Sequence, residues 1–491
     1  MKHLALLCLL VPFAGARADF MDHFVVREDV GPHKVPYLGA AELVLLQVEV
    51  KGFPPLDADG LKVFFGPDFA GGFGDYYRTA SLGRYQPNVT VAQKVIFDTC
   101  PLPAAQFPKC EIARGDINAF PAGLDLIREV IKRARAQGTD FSKFDVNGKR
   151  GVADGWADGV MLLANVPFGG IALPFGYFNR GDNLNGGMGG PLVVDGVKIP
   201  HVAIAGFSSH WVMIHEFGHL LGLTDLYDES NTYDGLHLSW MGAWGYDNQI
   251  PLPDAETRWR LRWANWRQVS GRQRVIVKPV ESSGEVWRLG TGDEYFLVEN
   301  RGPDGRFDRG VLSRGLAVFH VDRKLKQLGG EEGRFQDRIL SCVNCDPWHP
   351  YIQWVQADGL FEVQKNGKPD YANDLFRDGD ELKPVEGAGP LSATNRVLSS
   401  NFYSGQTSGL SISGIRVLTD GSIEATFEAP ADGQCGDRLC AEGEACAPVT
   451  CADAGPSAKT GCQSAPGLLA VVALLGLRRA RRRTGGQRRD G

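Results

Sequence analysis

Apolar residues fall along this chain in two periods, and the balance between them changes about half way. Residues 41–50 (AELVLLQVEV) run almost wholly apolar and predict a core strand. Residues 75–97 mix aromatic and β-branched residues with turns. Residues 123–136 (GLDLIREVIKRARA) repeat apolar positions at helical spacing, end on a basic turn and stop at Gly138. A short apolar strand is expected over 160–165, just after two Asp-Gly pairs. Apolar residues on one face predict a helix from about 209 to 221, and residues 256–266 (ETRWRLRWANW) predict a second, amphipathic one. From 271 onward the pattern turns to short strands between Gly, Asp and Pro turns: 274–280, 295–299, 316–321 and 423–427. There are no repeats and no long linker, and residues 429–434 mark a boundary before a cluster of cysteines. The pattern implies an α+β region followed by a β-rich one.

The helix at 209–221 carries the chemistry. It contains His215-Glu216-Phe217-Gly218-His219, then Gly222 and Asp225, an HExxHxxGxxD pattern. Residues four apart share a helix face, so His215 and His219 can reach one metal ion. Glu216 sits one step round and can touch a water there without ligating. Gly222 permits a left-handed helix end, after which the reversed chain can bring Asp225 back as a third ligand. Three protein ligands with one open position is the pattern of catalytic rather than structural zinc. A bare HExxH arises by chance in a chain this long at about the per-cent level, and the added Gly and Asp make the match far more specific. Downstream, Met241 lies in a Gly-bounded turn, as in the Met-turn beneath the metal of metzincin-type enzymes. Tyr246 could assist an oxyanion. Asp228 is a fallback ligand, while His320 and Asp322 are expected to be structural or to close the cleft. His210 and His237 are expected to be surface or loop residues.

Composition narrows the setting. The chain has 491 residues, 62 of them Gly, and a net charge of −6. Residues 1–18 carry +2 and residues 463–491 carry +6, which leaves −14 on residues 19–462. So acidic a body argues against nucleic acid as a partner and suits calcium as a second ion. Met1-Lys2-His3, an apolar run and Ala16-Arg17-Ala18 form a signal peptide with cleavage expected after Ala18. Of ten cysteines, Cys8 leaves with that segment. Cys100 and Cys110 are close in a Pro-rich loop and are expected to pair, as are Cys342 and Cys345 of a C-x-x-C. Cys435, Cys440, Cys446 and Cys451 form a dense set of open connectivity. Cys462 is left over. It precedes a short apolar run at 466–477 and an Arg cluster at 478–483, and these three parts in order resemble the MYXO-CTERM sorting signal of myxobacterial surface proteins. That resemblance implies removal of the tail by sorting machinery, with Cys462 as the processing or lipid-bearing residue. The expected location is extracellular or at the outer surface of a Gram-negative cell.

Longer blocks extend the match. Residues 74–83 (GDYYRTASLG), 140–145 (DFSKFD), 215–228 (HEFGHLLGLTDLYD), 294–301 (EYFLVENR) and 315–322 (GLAVFHVD) occur in that order. In this the chain resembles the immune inhibitor A family of secreted metallopeptidases, related to metzincins, over most of residues 40–430. The resemblance implies that His215, His219 and Asp225 bind zinc, that Glu216 is the catalytic acid/base, and that proteins or peptides are the substrates. Two features depart from the family. Lys149 and Arg150 stand where its Asp/Gly loop carries more acid, which puts a calcium site there in doubt. There is also little room for a propeptide. The expected organisation is a signal peptide (1–18), an N-terminal extension (19–39), a zincin/metzincin-like catalytic domain (40–268), a β-rich, sandwich-like domain (269–430), a small disulfide-rich segment (431–453) and a sorting tail (454–491). The alternative reading is a non-catalytic surface protein that binds through a retained zinc scaffold. A third is a zinc hydrolase acting on something other than peptide.

Overall fold

The first expected strand is longer than its apolar run, and it starts a mixed α/β structure of several sheets and few helices. The computed structural model describes residues 35–102, 119–147, 152–166, 170–174, 192–206, 212–227, 236–242, 250–328, 344, 346–365 and 369–430. In chain order the first half holds β1 (Gly39–Val50), α1 (Ala58–Phe65), α2 (Phe73–Ala80), β2 (Tyr85–Phe97), α3 (Ala119–Ala136), β3 (Val160–Ala164), β4 (Gly170–Pro174), β5 (Leu192–Val194), β6 (Val197–Ile199), β7 (His201–Gly206) and α4 (Val212–Leu220). The second half holds α5 (Ala255–Arg260), β8 (Asn265–Val269), β9 (Gly271–Val277), α6 (Val280–Ser283), β10 (Glu285–Leu289), β11 (Glu294–Arg301), β12 (Gly315–Asp322), α7 (Arg323–Leu328), β13 (Ile352–Val355), β14 (Ser411–Val417) and β15 (Ile423–Ala429).

The first sheet has the order β2-β1-β3-β7-β4. Its first four strands are parallel, and β4 runs antiparallel to β7 at the edge. Parallel sheets are covered on both faces, which explains the continuous apolar runs of β1 and β3. Val44, Leu46 and Val48 pack with Leu162, Ile204 and residues Ile127, Val130 and Ile131 of α3. The alternate residues Leu43, Leu45, Met161 and Ala203 face a second core that contains α1, α2 and α4.

The second sheet, β13-β12-β11-β10-β8, is likewise buried on both faces. Tyr295, Leu297, Ala317 and Phe319 join the core that holds Phe217 of α4. Their neighbours Phe296, Val298, Leu316 and Val318 pack instead on the third sheet, β14-β15-β9, through Val275, Ile412, Ile423 and Phe427. The period-2 alternation of strands thus serves two cores at once. The second and third sheets share the second of these cores. One core crosses the expected domain boundary at 268/269, and β8 spans that boundary to pair in parallel with β10.

The helix expected over 256–266 ends at Arg260. Arg262 has φ +58°, and Trp263 turns into the core, where its Nε1 donates to the Tyr37 carbonyl. The signal was present: Trp259, Leu261 and Trp263 alternate with arginines at a spacing of two, not 3.6. Around the Asp/Gly loop, Asp145 accepts from the amides of Asp154 and Gly155, and Asp158 from those of Glu42 and Asn147. Asp145 thus closes the loop, and Asp158 ties it to β1. Cys100 is disulfide-bonded. Cys110, Cys342, Cys345, Cys435, Cys440, Cys446, Cys451 and Cys462 lie outside the described residues, as does the whole signal segment.

Candidate metal centre

Helix α4 is apolar nearly all round because it packs on β7, β4 and β3 of the first sheet and is covered by α2 and the 236–242 segment. Met213, Ile214, Phe217 and Leu220 are fully buried. Its C-terminus is a Schellman motif: Leu223 N–H donates to the Gly218 carbonyl, Gly222 N–H to that of His219, and Gly222 has φ +91°. The chain thereby reverses and returns Asp225 to the helix. Asp225 Oδ1 lies 3.0 Å from His215 Nε2 and 3.4 Å from His219 Nε2. Glu216, 5 % exposed, has Oε2 4.0 Å from His219 Nε2.

Both imidazole rings are oriented from behind. His215 Nδ1 is 2.8 Å from the Trp240 carbonyl, and His219 Nδ1 is 2.9 Å from that of Leu223. A carbonyl only accepts, so each Nδ1 donates, and a neutral ring then presents the lone pair of Nε2. Both Nε2 atoms and a carboxylate oxygen of Asp225 meet at one place. With both imidazoles neutral, these are three acceptors facing one another, an arrangement that a shared cation would stabilise. Two histidine nitrogens and one carboxylate oxygen, each histidine tied by its other nitrogen, form a donor set that fits zinc.

The platform under the helix comes from residues 236–242. Met241 is fully buried, and a β-carbon on Gly218 would come within 2.7 Å of its sulfur, so the glycine lets Met241 lie directly against α4 between the two histidines. Leu226 N–H donates to the Met241 carbonyl, which ties the Asp225 turn to the same loop. Gly242 is required too, because any side chain there would run into the Leu236 carbonyl. From α2, the Tyr77 hydroxyl donates to the Ile214 carbonyl, one residue before His215, at 2.7 Å. Tyr76 stacks on Trp240 at 5.3 Å. The aromatic pair of the 74–83 block therefore braces the helix and its platform.

A buried charge network holds that platform in place. Arg301 of β11, fully buried, donates to Glu299 at 2.6 Å, to both oxygens of Asp308 at 2.8 and 3.0 Å, and to the Pro253 carbonyl at 2.6 Å. Arg258 of α5 pairs with the other Glu299 oxygen. Asp254 accepts from the Ser239 hydroxyl at 2.6 Å, two residues before Met241. Sequence reasoning assigned no role to Glu299, Arg301, Arg258, Asp254 or Asp308. The available signal was two charged residues ending a strand that is otherwise apolar.

Of the remaining expected residues, those that are described do not join the centre. His320 pairs with Glu294 at 3.0 Å and stacks on Phe296 and Tyr403, and Asp322 pairs with His349. His237 is buried in the Met241 loop with its ring near Tyr371. Tyr246, Asp228 and His210 lie outside the described residues. Comparison of the chain with protein-family models and with curated proteins found no match.

The αL helix end offers a direct test of how the site is built. Gly222→Ala forces a β-carbon into φ +91°, which costs about 1–2 kcal/mol. Because the next residue's carbonyl orients His219, zinc affinity is expected to fall by about 10–100-fold. Competition with a chromophoric chelator measures it, and an unchanged affinity would show that this turn does not set the ligand geometry.

Proposed function

We propose that the protein is an exported zinc-dependent endopeptidase with His215, His219 and Asp225 as metal ligands and Glu216 as the general acid/base. The observation that carries this reading is the convergence of His215 Nε2, His219 Nε2 and Asp225 Oδ1, with both Nδ1 atoms already committed to backbone carbonyls. When bound, zinc supplies Lewis acidity, which acidifies water and polarises a carbonyl. Glu216 does the proton work. In this reading its carboxylate stands beside the ligand group, takes a proton from the attacking water and returns it to the leaving amine nitrogen. Its burial limits competing solvent. Peptide as substrate is favoured by β4, the antiparallel strand that ends the first sheet and packs beside α4. An extended peptide can add to such an edge through its main chain. Export is supported by the N-terminal segment and the clustered cysteines, and attachment at the cell surface by the resemblance of the C-terminal tail.

The test is metal content and cleavage together. Protein freed of metal and titrated with zinc is expected to bind one equivalent tightly and to cleave an unlabelled peptide mixture at new internal termini. His219→Ala is expected to lose both properties. Tight zinc without cleavage would favour a binding scaffold or a non-peptide substrate, and no tight zinc would overturn the proposal.

A further inference from the structure

We propose that Asp358, Glu362 and Asp374 form a second cation site, built from oxygen alone and suited to calcium. The chain leaves edge strand β13 through Gln356 and reverses in the turn Asp358-Gly359-Leu360-Phe361-Glu362. Leu360 N–H donates to the Asp358 carboxylate at 2.9 Å, and Gly359 and Phe361 are both left-handed, at φ +69° and +54°. This puts Asp358 and Glu362 on one side of the turn. Asp374 arrives from residues 369–376, held against the strand end by the Ala357 N–H to Asp374 carbonyl bond. One carboxylate oxygen from each of the three lies within 4.8 Å of the others. Calcium binds oxygens at about 2.3–2.6 Å, so oxygens sharing one ion stand no more than about 5.2 Å apart.

The independent sign is Asp374 itself. It is fully buried, and neither carboxylate oxygen has a hydrogen-bond partner. No Lys or Arg among the described residues pairs with any of the three acids. Burial first, then the like charges of Asp358, Glu362 and Asp370, push its carboxyl up to about 7 despite the nearby Gln356 amide. A buried carboxylate with no counter-charge among the described residues is costly, and a cation removes that cost. The site has no imidazole or thiolate, which turns it away from zinc, and Asp358 is exposed, which leaves room for the waters a calcium ion retains. The Gln356 side chain already braces the turn, with Nε2 donating to Glu362 at 3.1 Å and Oε1 accepting from Val363 N–H. An ion here would tie the turn after β13 to the segment that packs Tyr371 against Trp354 and near His237 of the Met241 loop.

The site lies beside Tyr371, so terbium bound there should emit when tyrosine is excited. Full-length protein saturated with zinc is expected to give a terbium signal that calcium displaces, with calcium affinity of about 10⁻⁴–10⁻³ M, the range of extracellular modules. Asp358→Asn, an exposed change that leaves packing intact, should weaken calcium at least about tenfold by removing a ligand charge. Asp374→Asn should abolish the signal. His219→Ala should leave it unchanged, which separates this site from the histidine centre. Absence of a calcium-reversible signal up to about 10 mM, or a signal indifferent to both Asp variants, would overturn the proposal. Loss of the signal in His219→Ala would also overturn it, by assigning the ion to the other centre.

Discussion

Replacing Glu216 with Gln is expected to leave a folded, zinc-loaded protein whose peptide cleavage is slower by about 10²–10⁴-fold, the usual worth of a general acid/base. The substitution keeps the shape of a buried side chain, 5 % exposed, and removes only its capacity to take and return a proton. In the proposed ligand group of His215, His219 and Asp225 it has no place, so zinc stoichiometry should not change. The pattern that discriminates is zinc retained with kcat lost. If zinc falls in proportion to activity, Glu216 is acting as a ligand. If activity survives within a few-fold, the proton is carried by another group and the assignment of Glu216 fails. In contrast, Asp225→Asn should act first on the metal, because a neutral amide oxygen holds zinc far more weakly than a carboxylate.

The largest expected effect on stability comes from a residue remote from the metal. Glu299→Gln removes the carboxylate shared by Arg301 and Arg258 in a place with no access to water. Breaking a buried ion pair from one side typically costs about 3–5 kcal/mol, because the surviving charge is left uncompensated. Here two guanidiniums would be left facing each other, with Asp308 to serve both. Burial already lowers the affinity of Arg258 for its proton, while Asp308 and Glu299 hold Arg301 firmly charged against the same burial. Glu428→Gln, by comparison, breaks a pair with Arg272 in which both partners are substantially exposed, and should cost no more than about 1 kcal/mol. Denaturant unfolding of the two variants side by side measures the contrast. Since Arg301 also holds the Pro253 carbonyl at the end of the segment that starts at Met241, Glu299→Gln should loosen that segment, seen as faster amide exchange of residues 238–242. Equal costs for the two variants would mean that the network contributes nothing particular to this fold.

The blocks that suggested a family resemblance take on distinct physical roles. Residues 74–83 supply Tyr77, which holds the metal helix at Ile214, and Tyr76, which stacks on Trp240. Residues 294–301 supply Glu299 and Arg301, which clamp the loop beneath the helix. Each fixes the backbone whose carbonyls orient the imidazoles. Their value to the site is therefore invisible in a motif search centred on histidines, although their residues can be read directly.

What the sequence determined by itself is local. The four-residue spacing of His215 and His219 puts both on one face of a helix, because a helix turns 3.6 residues per turn wherever it sits. Gly222 ends that helix in the left-handed region, because only glycine enters it without cost. The apolar runs of 41–50, 160–165 and 316–321 are strands, because two-sided burial needs both periods of a strand to be apolar. What only the tertiary structure decided is which distant groups meet. The Trp240 carbonyl behind His215, Met241 against Gly218, and the Arg301 network join segments tens of residues apart, and no local periodicity encodes their pairing. The helix expected over 256–266 stopped at Arg260 for the same reason: burying Trp263 beside Tyr37 outweighed helical continuation. Strand β8 runs across the boundary expected near 268 and pairs in parallel with β10, and residues from both sides share one core. Spacing along a helix is set by covalent geometry, whereas the closing of a core is set by the total area that distant segments can bury together.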